Sequence, residues 1–295
     1  MKRLKSFLIA LFSPVLALIF SASGLRDGVI RQNRAIMQGP RRRFTHFPRF
    51  YRLRLGFHLA RALLTLVLPG DLPAARLHPR SRPHLDVLRG GPGLLLTAHF
   101  GNWEAQAAAW RARGVNLLGA ARPLRSRPAH DLLARLRARH GIRVVTTAVP
   151  RTALRHLSAP RHPSPPKSSS GSSSPDGVAA PGCFGLLWDQ HAPDATRTGR
   201  FCGEPVSLNP LPFFLLARRP CPAYFGVLLP DGTLRLIPLL MRFDTGWEDR
   251  LARRYHRVLE TLIRRHPAHW HGILHARFKL TRRYRGHRGG RTARS

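Results

Sequence analysis

Residues 94–104 read LLLTAHFGNWE. The run opens on apolar residues too few for a helix and preceded by the turn-forming Gly90-Gly91-Pro92-Gly93, which predicts a buried strand over residues 93–98. A Gly101-Asn102 step follows, and then the Ala-rich stretch 103–113, whose composition predicts a helix. A buried strand that ends on a polar residue and turns into a helix is the unit from which parallel sheets are built. Working outward, short apolar runs predict further strands at 115–119, 142–147, 184–188, 223–229 and 233–238, the last two joined at Asp231-Gly232. Helical spacing predicts helices at 129–140 and 247–266, and a lead-in helix over 44–68 ending at Pro69-Gly70. The expected fold is therefore α/β: a mostly parallel central sheet flanked by helices, preceded by an N-terminal membrane-anchoring helix.

The anchor is read from residues 7–25, an uncharged run behind the basic start MKRLK. It is long enough to cross about 30 Å of hydrocarbon. Ser21, Ala22, Ser23 and Gly24 imitate a signal-peptide cleavage region. Basic residues on both flanks, among them Arg26, Arg31, Arg34 and Arg41-Arg42-Arg43, favour an anchor at an inner (plasma) membrane with the body in the cytoplasm. Residues 26–282 form the expected main domain. It is interrupted at 158–182 by a Ser/Pro-rich insertion without core-forming residues and followed by a basic tail over 283–295, both read as disordered.

At 295 residues and 43% hydrophobic content the chain can bury a sizeable core. Its 50 Lys+Arg against 14 Asp+Glu, a formal charge of +36, point to a polyanionic partner: nucleic acid, anionic lipid or an acidic protein. No nucleic-acid recognition pattern accompanies the charge, so nucleic acid is disfavoured. No Gly-x4-Gly-Lys-Ser/Thr loop is present. Cys183, Cys202 and Cys221 form no CxxC pair, and His266, His269, His271 and His275 lack a matching carboxylate or cysteine set, so no metal is expected.

The residues placed for chemistry are His99 and Glu104. At the carboxyl end of a strand, side chains meet the crevice where α/β proteins hold ligands. In one continuous helix the two would point about 140° apart, so they can meet only if His99 precedes the helix and Glu104 lies in its first turn. In that arrangement Glu104 orients the imidazole and His99 takes a proton from a hydroxyl, with no serine or cysteine nucleophile.

HFGNWE at 99–104, between an apolar strand and an Ala-rich helix, resembles the His-x4-Asp/Glu motif of the bacterial lipid A late acyltransferases, the lauroyl and myristoyl transferases. Three further blocks agree in order. ARP at 121–123 with RARHG at 137–141 is similar to the family's Tyr-Arg-Pro and Arg-x-Arg segments, with Ala121 where the family has an aromatic. LLWDQ at 186–190, then FCGEP at 201–205, resembles its Asp-Gln block and Phe-Phe-Gly turn, with Cys202 in place of an aromatic. PAHWHGILHARFK at 267–279 is similar to its closing Trp-x-x-Leu-His-x-Arg-Phe-Lys run. The insertion before Asp189 departs from the pattern.

The resemblance implies transfer of a fatty acyl chain from acyl carrier protein, or acyl-CoA, to a hydroxyl of a lipid A precursor. It implies no cofactor, His99 as general base with Glu104 orienting it, and Arg122, Arg137 and Asp189 as substrate-binding residues. A phosphorylated glycolipid, an acidic carrier and an anionic membrane surface would each suit the basic chain. Related families implied as alternatives act on a lysophospholipid or another glycolipid. The rival of another class is an inactive basic nucleic-acid- or membrane-binding protein.

Overall fold

The computed structural model describes residues 2–38, 47–68, 72, 74–124, 126–158, 182–193 and 196–280. The helices run α1 (Lys2–Ala22), α2 (Asp27–Met37), α3 (Tyr51–Val67), α4 (Arg82–Gly90), α5 (Trp103–Arg111), α6 (Arg127–Arg139), α7 (Val149–Ser158), α8 (Leu211–Arg218) and α9 (Trp247–Arg265). The strands are β1 (Arg76–Leu77), β2 (Gly93–Thr97), β3 (Leu117–Ala120), β4 (Arg143–Val145), β5 (Cys183–Leu187), β6 (Arg197–Phe201), β7 (Glu204–Leu208), β8 (Ala223–Leu228) and β9 (Thr233–Leu240). Seven strands form one sheet in the order β1-β9-β8-β2-β5-β3-β4. Neighbours from β8 to β4 are parallel, and the β8–β9 hairpin reverses the direction at one end. The expected α/β class with a mostly parallel sheet flanked by helices holds.

β2 sits inside the sheet between β8 and β5 and is covered on both faces, which is why its sequence is a continuous apolar run and not an alternating one. Leu94 and Leu96 pack into the larger core with α7, α8 and α9, while Leu95 packs into the smaller one with Leu85, Leu88 and Trp110. All three leucines are at most 2% exposed, and burying each contributes about 1.5–3 kcal/mol. This anchoring fixes the strand's carboxyl end as a rigid platform.

The uncharged segment 7–25 is helical as far as Ala22, in a helix that begins at Lys2 within the basic start and is long and apolar enough by composition to anchor in a membrane. The lead-in helix begins at Tyr51 and not at residue 44: residues 39–46 lie outside the described set, and Phe50, with φ 59°, is the left-handed residue from which α3 starts. Of the insertion, Ser158 is the last residue of α7 and residues 159–181 lie outside the described set, as does the tail. The Gly182 N–H donates to the carbonyl of His156, so the end of α7 and the start of the interior strand β5 lie side by side. The predicted elements omit α2, α4, α7, α8, the short β1 and the β6–β7 hairpin.

Candidate active site

The parallel register of β2 and β5 builds the site. Thr97 pairs with Leu187, so the residues two places beyond each strand end, His99 and Asp189, are neighbours. His99 Nδ1 lies 2.7 Å from Asp189 Oδ1, and the His99 backbone N–H donates to Oδ2 at 3.0 Å. The Trp270 indole N–H donates to the same Oδ2 at 2.9 Å. Asp189 is fully buried. Burial pushes its carboxyl up, but the His99 charge and these hydrogen bonds outweigh burial and hold the pKa at about 2. An ionised carboxylate can only accept, so Nδ1 carries a proton, and in the neutral ring that tautomer leaves the lone pair on Nε2.

That lone pair faces a crevice of about 490 Å³ shared by His99, Trp103, Glu104, Arg122, Arg137 and His275, among others. The Gln190 amide nitrogen is 3.3 Å from His99 Nε2 and 3.2 Å from His275 Nε2. An amide nitrogen only donates, so both rings accept there. Burial, then the nearby His99, lowers the His275 pKa to about 4, consistent with a neutral ring. Gln190 thus rests on the base position until something displaces it. Gln190 is itself held from behind: the buried Arg277 donates to its carbonyl at 2.8 Å and to that of Ser207 at 2.7 Å.

The C-terminal segment completes the frame. The His271 N–H donates to the His99 carbonyl (2.6 Å), the Gly101 N–H to that of His269 (2.8 Å), and Phe100 forms an antiparallel bridge with Trp270. At the turn, Gly101 takes φ 58°, a left-handed conformation that glycine adopts without strain. The Asn102 side chain then caps α5 by accepting from the Ala105 N–H at 3.0 Å.

His99 therefore precedes α5 and Glu104 lies in its first turn, as the spacing requires, but the two do not pair. Glu104 faces Arg137 of α6 and receives Nε at 3.1 Å on both oxygens and Nη2 at 2.6 Å on Oε1. The expectation that Glu104 orients His99 is corrected: Asp189 does so. Turning about the Gly101-Asn102 step sets the Glu104 side chain toward α6, whereas the β2–β5 register brings a carboxylate to the ring without any turn. Asp189 is likewise corrected from a substrate-binding residue to a positioning one, because its oxygens are engaged and enclosed. Arg137 and the exposed Arg122 both line the crevice. Gln190, Trp270, His275 and Arg277 all lie within the quoted blocks at 186–190 and 267–279, but none of them was given a role at the site.

A narrower cavity of about 80 Å³ adjoins the crevice at Trp103, Glu104 and Arg137. It runs along the sheet face past Leu117, Gly119 and Gly185 to Ile142. Among the described residues, none lining the crevice or this cavity is Ser, Cys or Lys, and Thr97 in the cavity is held by Gln106. Cys183, Cys202 and Cys221 are buried elsewhere, and burial pushes the Cys221 thiol up to about 12. The arrangement can remove a proton from a bound hydroxyl or water, and it offers no protein nucleophile in the crevice. No protein-family model and no curated protein sequence matches the chain.

Proposed function

We propose that this chain is an acyltransferase that moves a fatty acyl group from a thioester donor, an acyl carrier protein or acyl-CoA, to a hydroxyl of a phosphorylated glycolipid of the lipid A precursor type. The observation that carries the reading is the His99–Asp189 pair, which aims Nε2 into an apolar-walled crevice whose described lining holds no Ser, Cys or Lys. In such a site the attacking group belongs to the substrate.

The reaction runs in one displacement. The acceptor hydroxyl replaces the Gln190 amide at His99 Nε2, His99 takes its proton, and the oxygen attacks the thioester carbonyl. Asp189 stabilises the imidazolium that forms. Arg137 commits Nε and Nη2 to Glu104, and we assign its Nη1 as the donor to the tetrahedral oxyanion. Glu104 then acts through Arg137. Collapse of the intermediate breaks the C–S bond, and the imidazolium returns its proton to the departing thiolate. The crevice of about 490 Å³ takes the body of the acyl chain, the narrow cavity past Gly119 receives only its end, and Arg122 at the mouth takes a phosphate of the acceptor or donor. This scheme uses no metal or cofactor.

The test is to incubate detergent-solubilised protein with acyl carrier protein thioesters and, in parallel, a lipid A precursor, a lysophospholipid and a mannosylated lipid, and then to weigh the lipid products. A gain of one acyl chain on the lipid A precursor supports the reading. A gain only on another acceptor reassigns the substrate, and hydrolysis of the thioester without lipid gain rejects transfer.

A further inference from the structure

The segment long enough to cross a membrane is not free to do so alone. Among the described elements, α1 packs extensively on α3 alone. At their contact a Cβ on Gly56 would lie 3.3 Å from the Ala17 backbone and 2.8 Å from the Phe20 ring, so only glycine admits this approach. Arg52 of α3 donates to the Phe20 carbonyl at 2.7 Å and pairs with Asp27, fastening the far end of α1. On α1 the buried side chains are Lys5, Ser13 and Ala17, spread over most of its length.

α3 is in turn fixed to the catalytic body. The Tyr51 hydroxyl donates to the Pro267 carbonyl, His58 stacks on His269 at 3.6 Å, and Arg139 of α6 donates to the Leu66 and Val67 carbonyls. Ala62, Leu63 and Leu66 of α3 line the crevice that holds His99. A bilayer crossed by α1 would also surround α3, which exposes Arg54 and Arg61, charges that hydrocarbon excludes.

We infer that α1 lies along one leaflet instead of crossing the bilayer, docking the protein on an anionic lipid surface so that the crevice opens at the boundary between headgroups and acyl chains. The exposed apolar surface of α1 is broad, with Phe7, Leu11, Val15 and Leu18 on one side and Phe12 and Ile19 beside them, and Leu63 and Leu124 are exposed apolar residues lining the crevice. Arg3 and Arg26 flank α1, both exposed, at the level where phosphate groups of lipids would meet them. The depth expected for such a helix is about 5–10 Å below the headgroups. Lateral delivery of a lipid acceptor to His99 rests on the acyl-transfer reading; the docking geometry does not.

The experiment adds the full chain, carrying Arg3→Cys or Ser23→Cys, to sealed vesicles of phosphatidylcholine and phosphatidylglycerol, with labelling by a membrane-impermeant maleimide. The native cysteines are buried and stay silent in the folded protein. Docking along one leaflet predicts equal labelling at both positions, unchanged when the vesicles are permeabilised. Spin labels at Phe7, Val15 and Leu18 should report similar shallow depths. Overturning results are one position that reacts only after permeabilisation, a depth approaching the bilayer centre at about 15 Å in mid-helix, or a protein that fails to sediment with the vesicles. None of these readouts requires turnover, so the docking geometry and the acyl-transfer reading can fail separately.

Discussion

Replacing Asp189 with Asn tests the site's central geometry with a near-isosteric change. Two donors, the His99 backbone N–H and the Trp270 indole, converge on Oδ2, and one ring nitrogen meets Oδ1. If the Asn carbonyl faced the ring, its NH2 would confront both donors and leave two buried N–H groups unpaired. Each unpaired group costs about 1–3 kcal/mol. The carbonyl therefore takes the Oδ2 place and the NH2 faces His99 Nδ1, which must now accept. The imidazole proton moves to Nε2, and the base is gone. By the cost of a wrong tautomer in other histidine–carboxylate sites, the rate should fall by roughly 10³–10⁴-fold, equivalent to about 4–5.5 kcal/mol in the barrier. The assay is kcat from lipid product mass, with ¹⁵N NMR of the His99 ring to identify the tautomer and a thermal melt to verify folding. A folded D189N protein that retains kcat within about tenfold, or keeps the proton on Nδ1, refutes this reasoning.

Three further outcomes follow from the same contacts. Glu104→Gln and Arg137→Gln should each lower kcat by about 10²-fold and the double variant by little more than either alone, since the two act as a unit; full additivity in a double-mutant cycle would contradict the pairing. Gly119→Val should favour shorter donors, because its Cβ meets nothing closer than the Arg143 carbonyl at 3.6 Å and so projects into the narrow cavity. Selectivity between chains differing by a few methylenes should move by roughly tenfold or more, read by competition between carrier thioesters; an unchanged chain preference would remove the acyl chain from this cavity. Burial holds the His271 and His269 pKa values at about 3 and that of His275 at about 4, below the usual 6.5. The unfolded chain therefore takes up protons first, and stability should fall as pH drops from about 6.5 towards 4 at about 1.4 kcal/mol per pH unit for the buried His271 alone. The Asp189 contribution is lost only lower, between its usual 3.8 and about 2. Urea titrations across this range, repeated with His271→Phe, should show a flatter slope in the variant.

The sheet was legible where local composition and tertiary role coincide. β2 and β5 are buried on both faces, so their apolar runs announce them, and the Gly101-Asn102 turn marks where α5 begins. The strands and helices that went unpredicted lack such signals: β1 has two residues, and α8 is Pro-flanked and apolar nearly all round. His99 was legible because it follows the carboxyl end of a buried apolar strand, where side chains meet the crevice. Its true partner was not, because Asp189 is 90 residues away and reaches it through strand register, which no spacing along the chain encodes. Glu104 was in the right turn of the right helix, yet Arg137 across the crevice competes for it. The reach of α1 was also hidden, since composition reports that a helix is apolar and only packing reveals that α3 lies along it.

The most direct measurement of the central claim is single-turnover acyl transfer to the lipid A precursor by wild type and by a folded His99→Ala variant, scored by lipid mass. With His99 as the base, the wild type adds one acyl chain and the variant is slower by at least roughly 10²-fold. Equal transfer by the two proteins, or none by the wild type to any lipid acceptor, contradicts it.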